Sequence, residues 1–329
     1  MIKNSWLIIS SLLLIGVLAS KSSVAKEIQF LHNDQLVSGE LHLPEREWKV
    51  RGLVVFVHGD GEMTSNAHDY YPLIWDQLLR NGYAVISWDK PGVGGSQGDW
   101  LEQTMTDRAL EVKAAISFAK KQPALTDAKV IGLGFSQAGW VLPQLAANKE
   151  TLDFLIGVGF ATNWVSQGEY YTRRYQQMQG ADQESISNSL AAYHQEIDFL
   201  SSEPSFVEYQ GAYPDGNMDA KRYKFVVSNF RSDASKDHEK IAVPTLLLWG
   251  QQDNNVDALS EFAYWKRAKP PFVDVHLLEN ASHGLLKADQ FGGQNLGVTD
   301  WFKMIWMGES ALTPEFVPTL LKWLDDQKL

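Results

Sequence analysis

The chain has 329 residues, 44 % hydrophobic and 21 % charged, a globular balance that excludes wholesale disorder and fibrous architecture. Lys and Arg total 29 against 40 Asp and Glu, and the resulting −11 argues against a nucleic-acid partner, whose phosphates want a basic surface. The absence of cysteine excludes disulfides, thiolate metal sites and a cysteine nucleophile.

Residues 1–4 carry one side-chain positive charge, and 6–19 are almost wholly apolar. Ser23-Val24-Ala25 then places small residues where a signal peptidase reads them, so the pattern predicts a secretory signal over 1–25. The apolar run falls short of the roughly 20 residues needed to span a bilayer. Cleavage after Ala25 would remove Lys3 and Lys21 and no acid, taking the net charge to −13. No later segment is long and apolar enough to cross a membrane. An exported protein without stable membrane insertion is expected, periplasmic or extracellular.

Strands and helices alternate along the remainder. Residues 28–32 and 36–43 flank the turn pair Asn33-Asp34 and read as a hairpin. The apolar run 53–57 ends at His58-Gly59 as a buried parallel strand should, and 72–80 reads as a helix closed by Asn81-Gly82. A strand over 83–88 is followed by a helix over 106–120, whose expected apolar face includes Leu110, Ala114, Ala115, Ile116, Phe118 and Ala119. Then come a strand over 129–135, a helix over 137–148 and a strand over 154–160. Later strands over 245–249 and 273–279 enclose a helix over 259–268, and a helix over 313–326 closes the chain. Such alternation predicts an α/β fold with a mostly parallel central sheet and helices on both faces. Residues 161–243 break the rhythm with polar, helix-compatible sequence. Their many aromatics, among them Tyr170, Tyr175, Tyr209 and Phe225, fit a mainly helical cap insertion better than a tether. The core then comprises 26–160 and 244–329.

Ligands in such sheets sit outside the carboxyl ends of the strands, and the chemically suggestive residues cluster there. Gly134-Phe135-Ser136-Gln137-Ala138 lies where a strand turns abruptly into a helix. A serine at that turn needs small residues two positions before and after it, and Gly134 and Ala138 supply them. Ser136 is therefore the candidate nucleophile. A serine hydroxyl needs a base, and the base an orienting carboxylate. Asp253 follows the 245–249 strand and His283 follows the next, giving the order Ser136, Asp253, His283 of the α/β-hydrolase fold. Asp257 sits further from its strand end, and the segment after the preceding strand, Thr162-Asn163-Trp164, offers no carboxylate. His276 falls within a strand and reads as packed, while His58 reads as a hydrogen-bonded scaffold residue. Acyl transfer also needs oxyanion donors. The backbone N–H of Gln137 is one candidate and that of Asp60 the other, with Gly61 second. No P-loop or dinucleotide-binding spacing is present and no His-x-x-x-His pair, so neither cofactor nor metal is expected.

From about Ile28 onward the chain resembles a capped serine hydrolase of the α/β-hydrolase superfamily. The resemblance rests on His58-Gly59-Asp60-Gly61, Asp89-Lys90-Pro91-Gly92-Val93-Gly94-Gly95-Ser96, Gly134-Phe135-Ser136-Gln137-Ala138-Gly139-Trp140, Gly250-Gln251-Gln252-Asp253 and Ser282-His283-Gly284. The serine and glycine-turn motifs are similar to bacterial esterases and to the catalytic domains of acylaminoacyl- and dipeptidyl-peptidase-like hydrolases, whose large propeller this chain has no room for. The resemblance implies hydrolysis of a small-molecule ester or acyl substrate through an acyl-serine, with His283 moving the protons. A peptidase or amidase using the same three residues is the alternative, with Glu169 or Glu196 to hold a substrate amine. A ligand-binding protein on the same scaffold is the other, and an intact set of three residues argues against it. The aromatic segment 288–308 is either a pocket wall or a subunit contact.

Overall fold

Alternating apolar runs build an eight-stranded sheet in the computed structural model, which describes residues 23–45, 49–147, 151–214, 216, 218–268 and 270–328. The strands are β1 (Ser23–His32), β2 (Gln35–Pro44), β3 (Gly52–Val57), β4 (Tyr83–Trp88), β5 (Lys129–Phe135), β6 (Phe154–Val158), β7 (Thr245–Gly250) and β8 (Val273–Leu278). Their spatial order is β1-β2-β4-β3-β5-β6-β7-β8. β1 and β2 form an antiparallel hairpin through Asn33 and Asp34, both in left-handed conformation, and β2 joins β4 antiparallel. From β4 to β8 every pairing is parallel. The fold is therefore of the α/β-hydrolase class. Most of the predicted signal, 1–22, lies outside the described residues, while its last three pair with Pro44, Leu43 and His42 at the start of β1.

The helices are α1 (Pro72–Arg80), α2 (Met105–Ala119), α3 (Leu142–Ala146), α4 (Trp164–Met178), α5 (Gln183–Ser201), α6 (Phe206–Ala212), α7 (Ala220–Asn229), α8 (Ser235–His238), α9 (Ala258–Ala268), α10 (Val298–Met307) and α11 (Phe316–Asp326). Along the buried β3, successive side chains go to opposite sides of the sheet. Leu53, Val55 and Val57 meet Val112, Ala115 and Ile116 of α2, whereas Val54 and Phe56 meet Ile74 and Leu78 of α1 and Leu320 and Leu324 of α11. Helices α4 to α8 intervene between β6 and β7 and carry a small core of their own, Leu200, Tyr209, Tyr223 and Phe230. Trp164 ties this layer to the sheet side by stacking on Trp140 at 5.0 Å.

Several elements differ from expectation. The helix predicted over 137–148 opens instead as a 3₁₀ turn over Ser136–Trp140, breaks at Val141 and resumes as the five-residue α3, with Pro143 unable to donate to a preceding turn. Any positive field at Ser136 thus comes from local N–H groups and not from a long helix dipole. On α2, Leu110 is exposed, and the buried stripe contains Arg108 and Glu111 beside Val112 and Ala115. His276, expected to be packed, is exposed because β8 is an edge strand.

Candidate active site

Ser136 is the residue immediately after β5, and its φ of +50° lies in the left-handed region that costs a side-chain-bearing residue about 1–3 kcal/mol. The packing around it explains the small neighbours. A Cβ on Gly134 would sit 2.6 Å from both Ala138 Cβ and Leu142 Cδ1, so the turn closes only with glycine there. Gly139 is pressed on by the Phe160 ring, 2.9 Å from where its Cβ would be. The serine itself remains half-buried, open enough for a substrate to reach.

His283 and Asp253 reach the same edge from loops that are sewn together. The Gln252 N–H donates to the Ala281 carbonyl at 3.0 Å, and the Ala281 N–H donates to Gln252 Oε1 at 3.1 Å. Gly250 permits this approach, since a Cβ there would lie 2.3 Å from the carbonyls of Ala281 and Ser282. His283 Nδ1 consequently stands 2.7 Å from Asp253 Oδ2. The other carboxylate oxygen accepts from the N–H groups of Asn255 and Val256 at 2.7 and 2.9 Å, so the buried Asp253 is fully engaged. Burial pulls the His283 imidazolium downward, but the Asp253 charge and hydrogen bond outweigh it and leave its pKa above the ordinary value. The ring rests against Gly159, whose hypothetical Cβ would fall 2.9 Å from His283 Cε1. Phe135 pairs with Val158, so Ser136 and Gly159 are the next residues on neighbouring strands, and the Gly159–His283 contact falls at the sheet edge that carries Ser136.

The loop after β3 passes over Ser136, with Gly59 so placed that a Cβ would be 3.3 Å from Ser136 Cβ. Asp60 accepts from Gln137 Nε2 at 3.1 Å and is ion-paired with Arg222 of α7 at 3.0 Å. His58 is stacked on Tyr71, within 3.0 Å of its hydroxyl and 2.5 Å of the Trp88 carbonyl. Burial, reinforced by the Lys90 charge, pushes His58 down to about 3, so it is a neutral scaffold.

Two residues that the sequence reading passed over complete the surroundings. Lys90, almost completely buried, donates to the carbonyls of Gly59 and Gly61 at 2.6 and 2.9 Å. Arg108, equally buried, donates to the His58 carbonyl and to Gln137 Oε1, both at 2.5 Å. Lys90 stood inside a motif read only as a glycine turn. Arg108 and Glu111 carried a usable signal, two charges at the spacing of a buried helical stripe. Among the described residues no cluster of His, Asp and Glu is arranged to hold a metal ion.

A strained serine after β5 and a histidine–aspartate pair after β7 and β8 stand at one sheet edge, the arrangement looked for in a serine hydrolase of the α/β-hydrolase superfamily. Residues 48–290 match the family described as serine aminopeptidase, S33 (Hydrolase_4), and the chain belongs to that family. No curated protein sequence matches it significantly. Among solved structures, the esterase Pf2001 of Pyrococcus furiosus superposes with a TM-score of 0.55 at 16 % identity, covering 80 % of this chain and 84 % of that one. Est1E of Butyrivibrio proteoclasticus, solved with ferulic acid bound, gives 0.52 at 16 % identity over 78 % and 91 %. The hypothetical protein PA2218 of Pseudomonas aeruginosa gives 0.53 at 13 % over 89 % and 95 %. At these identities the likeness is one of fold.

Proposed function

We propose that the protein hydrolyses small carboxylic esters through an acyl-enzyme formed on Ser136. The observation that carries this reading is the left-handed Ser136 at the same sheet edge as an imidazole already paired with a buried carboxylate. In the first half-reaction His283 Nε2 takes the Ser136 proton as Oγ attacks the carbonyl carbon, then gives it to the departing alkoxide. In the second, His283 takes a proton from water, the hydroxide attacks the acyl carbon, and Ser136 leaves with the proton restored. Asp253 keeps the Nδ1 proton in place and stabilises the imidazolium. The N–H groups of Gln137 and Asp60 receive the negative oxygen.

An aminopeptidase reading requires a free carboxylate for the substrate's ammonium. Glu169 is paired with Arg173 at 2.5 Å and lies 3.4 Å from His194, and Glu196 accepts from the Tyr209 hydroxyl at 2.6 Å. Asp60 is matched by Arg222. This occupancy favours a neutral ester over a peptide N-terminus. Export rests on the 1–25 pattern alone, and a mature chain beginning at Lys26 is expected by intact mass when the full gene is expressed with its secretion route. No helix among the described residues is long and apolar enough to cross a membrane.

The deciding experiment is fluorophosphonate labelling of the purified protein, with Ser136→Ala alongside. One adduct on the parent and none on the variant is expected, with short-chain p-nitrophenyl esters turned over faster than the matching anilides and aminoacyl amides. A folded, unlabelled parent would sink the nucleophile assignment, and faster aminoacyl-amide cleavage would move the function to peptidase.

A further inference from the structure

The loop from His58 to Gly61 presents successive carbonyls to two buried cations. Arg108 binds the His58 carbonyl, and Lys90 binds those of Gly59 and Gly61. Each trans peptide is a rigid plane in which the carbonyl of one residue and the N–H of the next point in opposite directions. The Gly59 carbonyl and the Asp60 N–H share one such plane. An ammonium 2.6 Å from the Gly59 oxygen therefore fixes where the Asp60 N–H points, outward from Lys90. The same loop touches Ser136 at Gly59, so that outward side is where an oxyanion on the acylating carbon would lie.

The cation does more than aim the plane. A hydrogen bond accepted by a carbonyl polarises its amide and strengthens the attached N–H as a donor, and the effect is larger in a desolvated setting. Lys90 Nζ is shielded from water, with the Trp100 ring 5.0 Å away. Arg108 bridges the two segments that carry the candidate oxyanion donors. One guanidinium nitrogen holds the His58 carbonyl and the other holds the Gln137 side chain, whose amide in turn reaches Asp60. Glu111, accepting from Trp88 Nε1 and Gln103 Nε2 at 2.6 Å, places a buried negative charge near this cluster.

We propose that Lys90 and Arg108 are positioning residues for acyl transfer, clamping the His58–Gly61 carbonyls so that the Asp60 N–H is held and polarised toward the oxyanion. This rests on the hydrolase reading above. Neither cation touches the substrate; Lys90 acts through the Gly59–Asp60 peptide plane, and Arg108 through the preceding His58 carbonyl and the Gln137 side chain. The consequence is specific to the transition state, because the substrate carbonyl needs that N–H less than the oxyanion does.

The test compares p-nitrophenyl acetate kinetics of the parent with Lys90→Met, Lys90→Arg and the core control Val112→Ala, with thermal unfolding and fluorophosphonate labelling followed in each. Lys90→Met should lower kcat between about tenfold and about a hundredfold, below the loss from deleting an oxyanion donor outright, with KM changing less than about threefold. Lys90→Arg, which restores a cation able to reach two carbonyls, should regain most of the lost kcat. Val112→Ala should lower the unfolding temperature with kcat unchanged, which separates lost stability from lost positioning. A folded Lys90→Met with parental kcat would overturn the proposal. So would a kcat loss that Lys90→Arg does not relieve. If Lys90→Met does not fold, Lys90→Gln carries the test, since its shorter, neutral amide supplies no cation to the loop and parental kcat there would overturn the proposal equally. A parent that takes no phosphonate adduct at all is the distinct outcome that removes the hydrolase reading and this proposal with it.

Discussion

His283 Nδ1 lies 2.7 Å from Asp253 Oδ2, with the aspartate side chain wholly shielded and 22 % of the histidine side chain still exposed. The pair is thus preassembled, its acid inside and its base at the surface of the site. Burial opposes protonation of His283, but the Asp253 charge and hydrogen bond prevail and raise its pKa above 6.5. On the proposed mechanism the neutral imidazole is the base, so kcat/KM should rise with pH through an apparent pKa above 6.5 and then level off. Asp253→Asn should move that limb downward and cost about 10⁴-fold in kcat, as loss of the orienting carboxylate does elsewhere. A raised folded-state value also means that this pair stabilises the fold fully below the unfolded pKa. That contribution disappears as pH climbs through the folded value. An acid limb at or below 6.5 would contradict the pairing.

Ser136 holds its left-handed φ of +50° at a cost that glycine would not bear. Ser136→Gly and Ser136→Ala should both abolish fluorophosphonate labelling, but they should not be equally stable. The glycine variant should be more stable than the alanine variant by about 1 kcal/mol in denaturant titration, because only it relaxes the backbone. Equal midpoints would mean that the turn carries no strain.

Glycines near the site separate steric demand from conformational demand. Gly159→Ala combines a φ of +62° with a Cβ 2.9 Å from His283 Cε1, whereas Gly180→Ala meets a φ of +74° and open space. Both substitutions should destabilise by about 1 kcal/mol or slightly more. Only Gly159→Ala should also depress kcat, by displacing the imidazole. Equal activity in the two variants would show that the ring position tolerates a methyl group.

The sheet was legible because its strands are continuous apolar runs bounded by turns, and the expected limits of β4 and β5 coincide with Tyr83–Trp88 and Lys129–Phe135. The strand-end positions of Ser136, Asp253 and His283 were legible because each follows a recognisable strand. Contacts between distant segments were not. Nothing local in Lys90 announces that its ammonium crosses to the carbonyls of Gly59 and Gly61, and Arg108 sits on a buried face of α2 that the expected apolar face did not include. The break after Trp140 was missed because the apolar pattern continues through it, while the tight packing of Gly134 and Gly139 is a tertiary demand. Apolar periodicity finds surfaces that pack, and it is blind to charges that pack inside them.

Arg222 and Asp60 join α7 to the loop over Ser136 through an ion pair at 3.0 Å, with 35 % and 44 % of their side chains exposed. Burial tends to raise the Asp60 carboxyl, but Arg222 and then Lys90 overcome it and hold its pKa below the ordinary carboxylate value. A depressed value means that the pair stabilises the fold above the unfolded pKa and that this share is lost as pH falls through the folded one. Solvent screening keeps the stake small, about 0–1 kcal/mol for so exposed a pair. Arg222→Met should therefore leave the unfolding midpoint nearly unchanged while moving the Asp60 carboxyl titration, followed by carbon-detected NMR, upward toward the ordinary range. High salt should move the parent in the same direction by screening the guanidinium. An Asp60 midpoint indifferent to both changes would assign its depression to Lys90 alone, and the buried clamp rather than α7 would then control the charge beside the serine.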